Sequence, residues 1–409
     1  MTQHLNSADA AADYAIRTLN KKIVMGLPLG LGKPNQFVNA LYRKAKADPS
    51  ISLTIVSALT LEKPTWSNPM EEKLLRHFIE RTFGDYEELD YARDLKKQTL
   101  PDNVKIYEFF LRTAAYLGNA TAQRHYISSN YTHAWRDVLD AGVNLAANLI
   151  AREGDRYSLS CNPDVALTLV PAMRAKCAKE DKPCLVIGQV HKDLAFMPHD
   201  AEVPENMFDL VLEHETYHTK LFGTPKMSVA TADYMIGLHA SSLIKDGGTL
   251  QIGIGSLGDA ITYCAQLRDG KNAQYRLALD NTGIIARHDE LIHRVGGTAP
   301  FEKGLYGATE MLVDGFFHLY NSNIIRRKVY DWLPLQRWVS AKETDKVSPE
   351  LLDFLITSDG IHTHLRANEL AGLHKFNIFK TTVKLHGKEL DIGGVRVPND
   401  LEDPDARRA

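Results

Sequence analysis

Short apolar runs rich in β-branched residues recur along this chain, each followed by a longer stretch with helical spacing. Residues 22–25 read as a strand, pass into a Gly/Pro loop, and continue as a helix over 35–47. Residues 51–56 form the next strand, and 70–83 an amphipathic helix with Leu74, Leu75, Phe78 and Ile79 on one side. Further strands are expected at 145–150, 183–190 and 208–212. Strands apolar throughout, separated by helices, predict an α/β fold with parallel sheet covered on both faces.

The 409 residues exceed one ordinary core, so two domains are expected. The pattern breaks around Phe222-Gly223-Thr224-Pro225, which sets the expected division at 1–222 and 223–409. Beyond it, a helix over 229–244 ends at Asp246-Gly247-Gly248 and leads into a strand at 249–252. The tail from Pro398 to Ala409 is charged and offers no apolar anchor, so it reads as a stop rather than as part of a core. Lys and Arg (48) nearly balance Asp and Glu (51), which argues against a nucleic-acid surface. A polar N-terminus without an apolar h-region argues against a secretory signal. No apolar stretch approaches the ~18 residues that span a bilayer. Four cysteines without CxxC spacing suit reduced thiols in the cytoplasm and make poor metal ligands.

Three motifs compete as functional candidates. Gly253-Ile254-Gly255-Ser256-Leu257-Gly258 is a literal GxGxxG, with Asp280 about twenty residues on, at the end of an expected strand over 275–279. That is the context of a dinucleotide site, and an NAD-dependent oxidoreductase is one reading. Another anionic ligand, or an oxyanion formed during reaction, would use the same amides; a structural turn is the third reading. His214-Glu215-Thr216-Tyr217-His218 is a literal HExxH, but Gly223-Thr224-Pro225 stops any helix within two turns. A solvated linker is expected there rather than a zinc site. The loop Gly26-Leu27-Pro28-Leu29-Gly30-Leu31-Gly32-Lys33-Pro34 narrowly misses a P-loop, because its glycines are one residue too far apart and Pro34 replaces the Mg²⁺-binding hydroxyl. It is either a site for an acyl or carboxylate group or a plain tight turn.

Several segments together resemble the acetyl-CoA hydrolase/transferase family, the family I CoA-transferases, in the branch related to acetate, succinate and 4-hydroxybutyrate CoA-transferases. The segments are Gly30-Leu31-Gly32-Lys33-Pro34-Asn35 with Asn39-Ala40-Leu41-Tyr42, Ile127 to His133, Ser158 to Asp164, Asp246 to Gly255, and Leu305 to Gly315. The resemblance implies two open parallel-sheet, Rossmann-like CoA-transferase domains. It also implies that relatives continue beyond the equivalent of residue 409, leaving the second domain incomplete here.

By the same resemblance, Thr309-Glu310-Met311 carries the catalytic glutamate, Glu310. Gly253, Ile254, Gly255 and Gly258, with Gly30, Gly32 and Lys33, become the residues expected to bind CoA and substrate. Coenzyme A is then a substrate, with no bound cofactor and no metal; acyl-CoA and small carboxylic acids are the partners. A homodimer is common in such families, and acetate metabolism is the implied setting. His191 departs from the asparagine usual in relatives. The implied activity is CoA transfer or thioester hydrolysis, with a truncated CoA-binding protein that has lost turnover as the non-enzymatic alternative.

Overall fold

A computed structural model of the chain describes residues 2–161, 163–221, 228–309 and 312–408. The expected boundary at 223 therefore lies outside the described residues. Two compact units emerge. One comprises Met1–Leu238 with Gln251–Cys264 and Ala308–His318, and the other His239–Leu250, Ala265–Gly307 and Leu319–Ala409.

The first unit is built on nine strands: β1 (Gln3–Leu5), β2 (Lys22–Leu29), β3 (Ser52–Ala58), β4 (Val104–Glu108), β5 (Leu145–Glu153), β6 (Arg156–Ser158), β7 (Leu185–Val190), β8 (Glu202–Val203) and β9 (Leu210–Leu212). Seven of them run side by side in the order β1-β9-β7-β5-β2-β3-β4. Every pairing on that path is parallel. β6 and β8 add a small antiparallel extension beside β5.

Alternate residues serve opposite faces, as a strand's period of two requires. Ile23, Met25 and Leu27 of β2 join Leu53 and Ile55 of β3 in a cluster with helices Ala8–Thr18 and Asn35–Ala47. Val56, Ala146, Ile150, Val186 and Val211 face the other way, against helix Ala166–Lys179. Both faces are covered, which explains the continuously apolar strand sequences.

The helix expected over 70–83 spans Pro69–Thr82, capped by the Asn68 side chain, which accepts from the N–H groups of Met70 and Glu71. Its apolar side is only half satisfied. Phe78 and Ile79 pack beside Phe83 and Tyr86, whereas Leu74 stays exposed.

In the second unit the strand expected over 275–279 is instead part of helix Asn272–Asn281. Tyr275 and Leu279, four residues apart, supply its buried side, a helical spacing that a short β-branched run does not have. The pair β10 (Thr249–Gln251) and β11 (Tyr306–Ala308) makes a small sheet, and β12 (Val383–His386), β13 (Glu389–Ile392) and β14 (Val395–Pro398) form an antiparallel meander. The tail is anchored after all, since Leu401 and Ala406 are buried in the cluster built on Leu351, Leu355 and Leu373. Among the described residues no helix is long and apolar enough to cross a membrane.

Candidate functional site

From β2 the chain moves outward in one direction through β3 to β4, then returns to the other flank of β2 and continues through β5, β7 and β9. The order reverses between β2 and β5. In open α/β sheets the crevice at the carboxyl ends of the strands flanking such a reversal is where ligands bind.

A cavity of roughly 380 Å³ lies there in the first unit, reached by Gly26 to Leu29 of β2, Ala58 of β3, and Ala146 and Asn148 of β5. Gly26 pairs directly with Ala146 in the β2–β5 register. Two of the smallest residues thus face each other where the sheet would otherwise fill with side chains. Leu27, Pro28, Phe109, Phe110, Val138 and Leu169 make its walls largely apolar.

The β2 exit is held by side chains from distant parts of the sequence. Asp164 accepts the Leu29 N–H at 2.5 Å and the Tyr131 hydroxyl at 2.7 Å. A 3₁₀ turn over Gly30–Gly32 follows, with Gly30 at φ +48° and its N–H donated to the Leu59 carbonyl at 3.2 Å. Gly30 and Gly32 are buried beside the cavity rather than among the residues lining it.

Lys33 is buried, and its ammonium donates to the carbonyls of Ala58 at 2.6 Å and Leu59 at 3.0 Å. Burial pushes its pKa down to about 8, against the opposing pull of Glu108 and Asp164. The Glu108 carboxyl is raised, again mainly by burial, although Lys33 and the Thr60 hydroxyl at 2.5 Å favour its charge. Lys33 therefore ties the end of β3 to the β2 turn. The next helix, Asn35–Ala47, spends its first-turn amide of Phe37 on the Gln189 side chain at 3.2 Å, in place of a phosphate.

Two later segments complete the cavity. Gly253 and Ile254 line it just before helix Ser256–Gly270. Gly255 has φ +136°, and Gly258 lies so near the preceding turn that a Cβ there would sit 2.6 Å from the Gly253 oxygen. The glycines thus serve a tight loop with its backbone drawn against the helix start. Thr309 and Val313 also line the cavity, and the Thr309 hydroxyl donates to the Ile252 carbonyl at 3.1 Å. Glu310 lies outside the described residues.

The other motifs resolve differently. Asp280 is helical and belongs to the second unit, so the GxGxxG loses the strand-end acid that a nicotinamide site requires. His214 to His218 fold into a single 3₁₀ turn rather than an α-helix, and His214 bonds Thr216 at 2.8 Å. His191 is buried and bonds the Thr219 carbonyl at 2.7 Å, away from the cavity lining. Among the described residues no cluster of three or more His, Cys, Asp or Glu has the arrangement of a metal site.

Asn148 was not singled out by the sequence reading, though a lone amide inside the apolar run Leu145 to Ile150 was its signal. Tyr131 and Asp164 lie in segments already quoted for the resemblance, but their mutual bond joins residues too distant in sequence for spacing to reveal.

No family model and no curated protein matches the sequence. Solved structures do match. RipA from Yersinia pestis aligns at 15% identity and a TM-score of 0.50, over 79% of this chain and 59% of RipA. One of its point variants aligns over the same shares at a TM-score of 0.51. The chain has the family I CoA-transferase fold. A 4-hydroxybutyrate CoA-transferase from Porphyromonas gingivalis also aligns, at 16% identity over 79% of this chain and 58% of that one, but with a TM-score of 0.39. The chain spans about three fifths of the length of these structures. Within this fold, the cavity lies at the large parallel sheet and is lined in part by Gly253 and Ile254 of the glycine loop.

Proposed function

We propose that this chain uses acyl-CoA thioesters and passes CoA to a carboxylic acid, or the acyl group to water, through a glutamyl-CoA thioester on Glu310. The observation that carries the reading is a largely apolar cavity, at the sheet reversal, lined both by the glycine loop and by Thr309 and Val313 on either side of Glu310 in sequence.

In this reading the Glu310 carboxylate attacks the thioester carbonyl, and collapse of the tetrahedral adduct expels CoA thiolate and leaves a mixed anhydride. The thiolate then attacks the glutamyl carbonyl, releasing the first carboxylate and forming the enzyme thioester. An incoming carboxylate reverses both steps; water instead gives hydrolysis. Apolar walls support the first attack, because a desolvated carboxylate is the stronger nucleophile. The amides of residues 253–258 are the candidate oxyanion donors, each worth about 3–4 kcal/mol when aimed correctly.

The test is trapping with borohydride or hydroxylamine after incubation with an acyl-CoA, read by peptide mass. An adduct on the peptide containing Glu310, absent in Glu310→Ala, is the expected result. Reversible CoA binding without any adduct would identify a CoA-binding protein lacking turnover and overturn the proposal.

A further inference from the structure

Two histidines that the chemistry above does not use meet away from the cavity. His191 follows β7, and His218 closes the 3₁₀ turn over Glu215–Tyr217; their rings meet edge to face with centroids 5.4 Å apart. His191 Nε2 donates to the Thr219 carbonyl at 2.7 Å, since a carbonyl can only accept. Its Nδ1 accepts the Asp193 N–H at 3.2 Å, and His218 Nδ1 accepts the Lys192 N–H at 3.3 Å. Two consecutive amides are thus spent on imidazole nitrogens from two segments. An imidazole nitrogen accepts only while it carries no proton, so this joint requires both rings to be neutral.

The joint fastens residues 213–221 to the loop after β7. Elsewhere along this strap, Glu213 donates its N–H to the Leu5 carbonyl at 3.0 Å, Tyr217 accepts the Ala8 N–H at 2.8 Å, and Lys220 donates its N–H to Asp85 at 2.7 Å. The Thr219 hydroxyl accepts from Gln36 at 3.4 Å, and Gln36 accepts from Gln189 at 2.6 Å. The strap therefore supports the first turn of helix Asn35–Ala47, next to Lys33.

We infer that His191 and His218 form an acid-sensitive latch, which holds the strap while both are neutral and releases it when they take up protons. A proton on Nδ1 would face an amide hydrogen, and a charged ring would stand beside its partner. The surrounding groups favour the neutral pair. Lys192 adjoins the joint, and Lys33, charged below pH about 8, shares a small cavity with His191 and Thr219. Tyr86 in that cavity is kept un-ionised by burial, and Asp85 is engaged by the Lys220 N–H. Asp193 favours the charge, as does the Thr219 bond, yet burial, His218 and Lys192 hold the His191 imidazole below the ordinary 6.5. A released strap lets His191 take up protons at that ordinary value, so the hold is full above it and is lost as pH falls below it. On the strap itself, Glu215 is exposed, and the exposed His214 accepts the Thr216 N–H at 3.2 Å within the turn.

Hydrogen exchange of the whole chain at pH 7.5 and 5.5, corrected for intrinsic rates, tests the latch. Peptides covering 190–194 and 213–221 report on it, and the β3 peptide 52–58 is the reference. In wild type, protection of the first two should fall about tenfold for each histidine held neutral, while β3 keeps its own. His191→Gln retains an N–H for the Thr219 carbonyl, and His218→Asn an acceptor for the Lys192 amide; neither titrates. In the double variant the fall should shrink to less than about threefold. A fall that persists there places the sensitivity on His214 or elsewhere and overturns the latch. So does a wild type without any fall, or one in which β3 falls equally. Should the double variant not fold, imidazole nitrogen shifts of the wild type decide. Charging of His191 in step with strap exchange upholds the latch; a charged His191 under a protected strap overturns it.

Discussion

Asp164 and Leu29 are 135 residues apart in sequence, yet the Asp164 carboxylate accepts the Leu29 N–H at 2.5 Å where β2 leaves the sheet. Its other oxygen accepts the Tyr131 hydroxyl at 2.7 Å. One side chain thus fixes two walls of the cavity. Hydrogen bonds to a charged group contribute about 1.5–3 kcal/mol each. Asp164→Ala should lower stability by about 2–4 kcal/mol in urea unfolding. Tyr131→Phe, which leaves the Leu29 bond intact, should lose about half as much or less. Equal losses in the two variants would mean that the Leu29 contact contributes nothing.

The glycine loop separates packing from access. A Cβ on Gly258 would meet the Gly253 carbonyl oxygen at 2.6 Å, and this contact is backbone against backbone, so no side-chain rotation relieves it. Gly258→Ala should destabilise by about 1–3 kcal/mol through overpacking. At Gly253 a Cβ meets nothing within 4 Å. Gly253→Ala should leave Tm within a degree or two of wild type and, if the cavity takes the acyl group, raise KM for the acyl donor by placing a methyl in the lining. A Tm loss in Gly253→Ala matching that of Gly258→Ala would refute this division.

Much of the first unit was legible because a parallel sheet covered on both faces leaves an unambiguous apolar signature, and the helix over Asn35–Ala47 was read at its observed limits. Helix Ala8–Thr18 was missed for a physical reason. Its buried side is Ala8, Ala11, Ala12, Ala15 and Ile16, correctly spaced but too small to register as an apolar stripe. The Val383–Pro398 meander was also missed, although Gly393-Gly394 sit between paired Ile392 and Val395 with φ of +65° and +95°, a two-residue hairpin turn. The strand read over 275–279 failed because five residues are too few to separate a buried helix face from a strand. In the site, the glycine loop was read from its own spacing, and the segment around Glu310 from the family resemblance. Asn148 and the Asp164 clamp depend on where the strand order reverses, which no local window contains.

Lys33 gives the fold a pH signature. Its folded pKa, lowered to about 8 by burial, lies below the ordinary 10.5, so between those values the unfolded chain binds more protons. Stability therefore rises with pH across that window, by at most about 3 kcal/mol. Glu108 acts in the acid range with the opposite slope. Its raised pKa makes the folded state hold a proton that the unfolded state releases, so its contribution falls as pH rises above 4.5. Chemical unfolding of wild type and Lys33→Met at pH 7, 8, 9 and 10 isolates the lysine. The wild type should gain on the variant from pH 8 upward, and parallel curves would show that Lys33 titrates as it does in the unfolded chain.

The second unit depends on a buried cation. Arg268 is 2% exposed and donates to the carbonyls of Ala299 at 2.7 Å, Ser241 at 3.1 Å and Ile244 at 2.6 Å, with its guanidinium 4.2 Å from the centre of the Phe301 ring. Burial lowers its pKa, but a guanidinium stays charged, so the carbonyls and the ring must together offset the lost hydration. Arg268→Met preserves much of the stem's volume and removes every guanidinium donor from three carbonyls, of which Ser241 keeps the Ile244 N–H. Arg268→Lys keeps the charge but cannot present a planar fork to acceptors on separate segments. Both should destabilise, Met by about 3–5 kcal/mol and Lys by somewhat less. Hydrogen exchange should show the loss concentrated at residues 239–250 and 296–304, where the bonded carbonyls and the Phe301 ring lie. A variant Arg268→Met as stable as wild type would show that apolar packing alone holds these segments, and that the cation is replaceable, as some buried charges are.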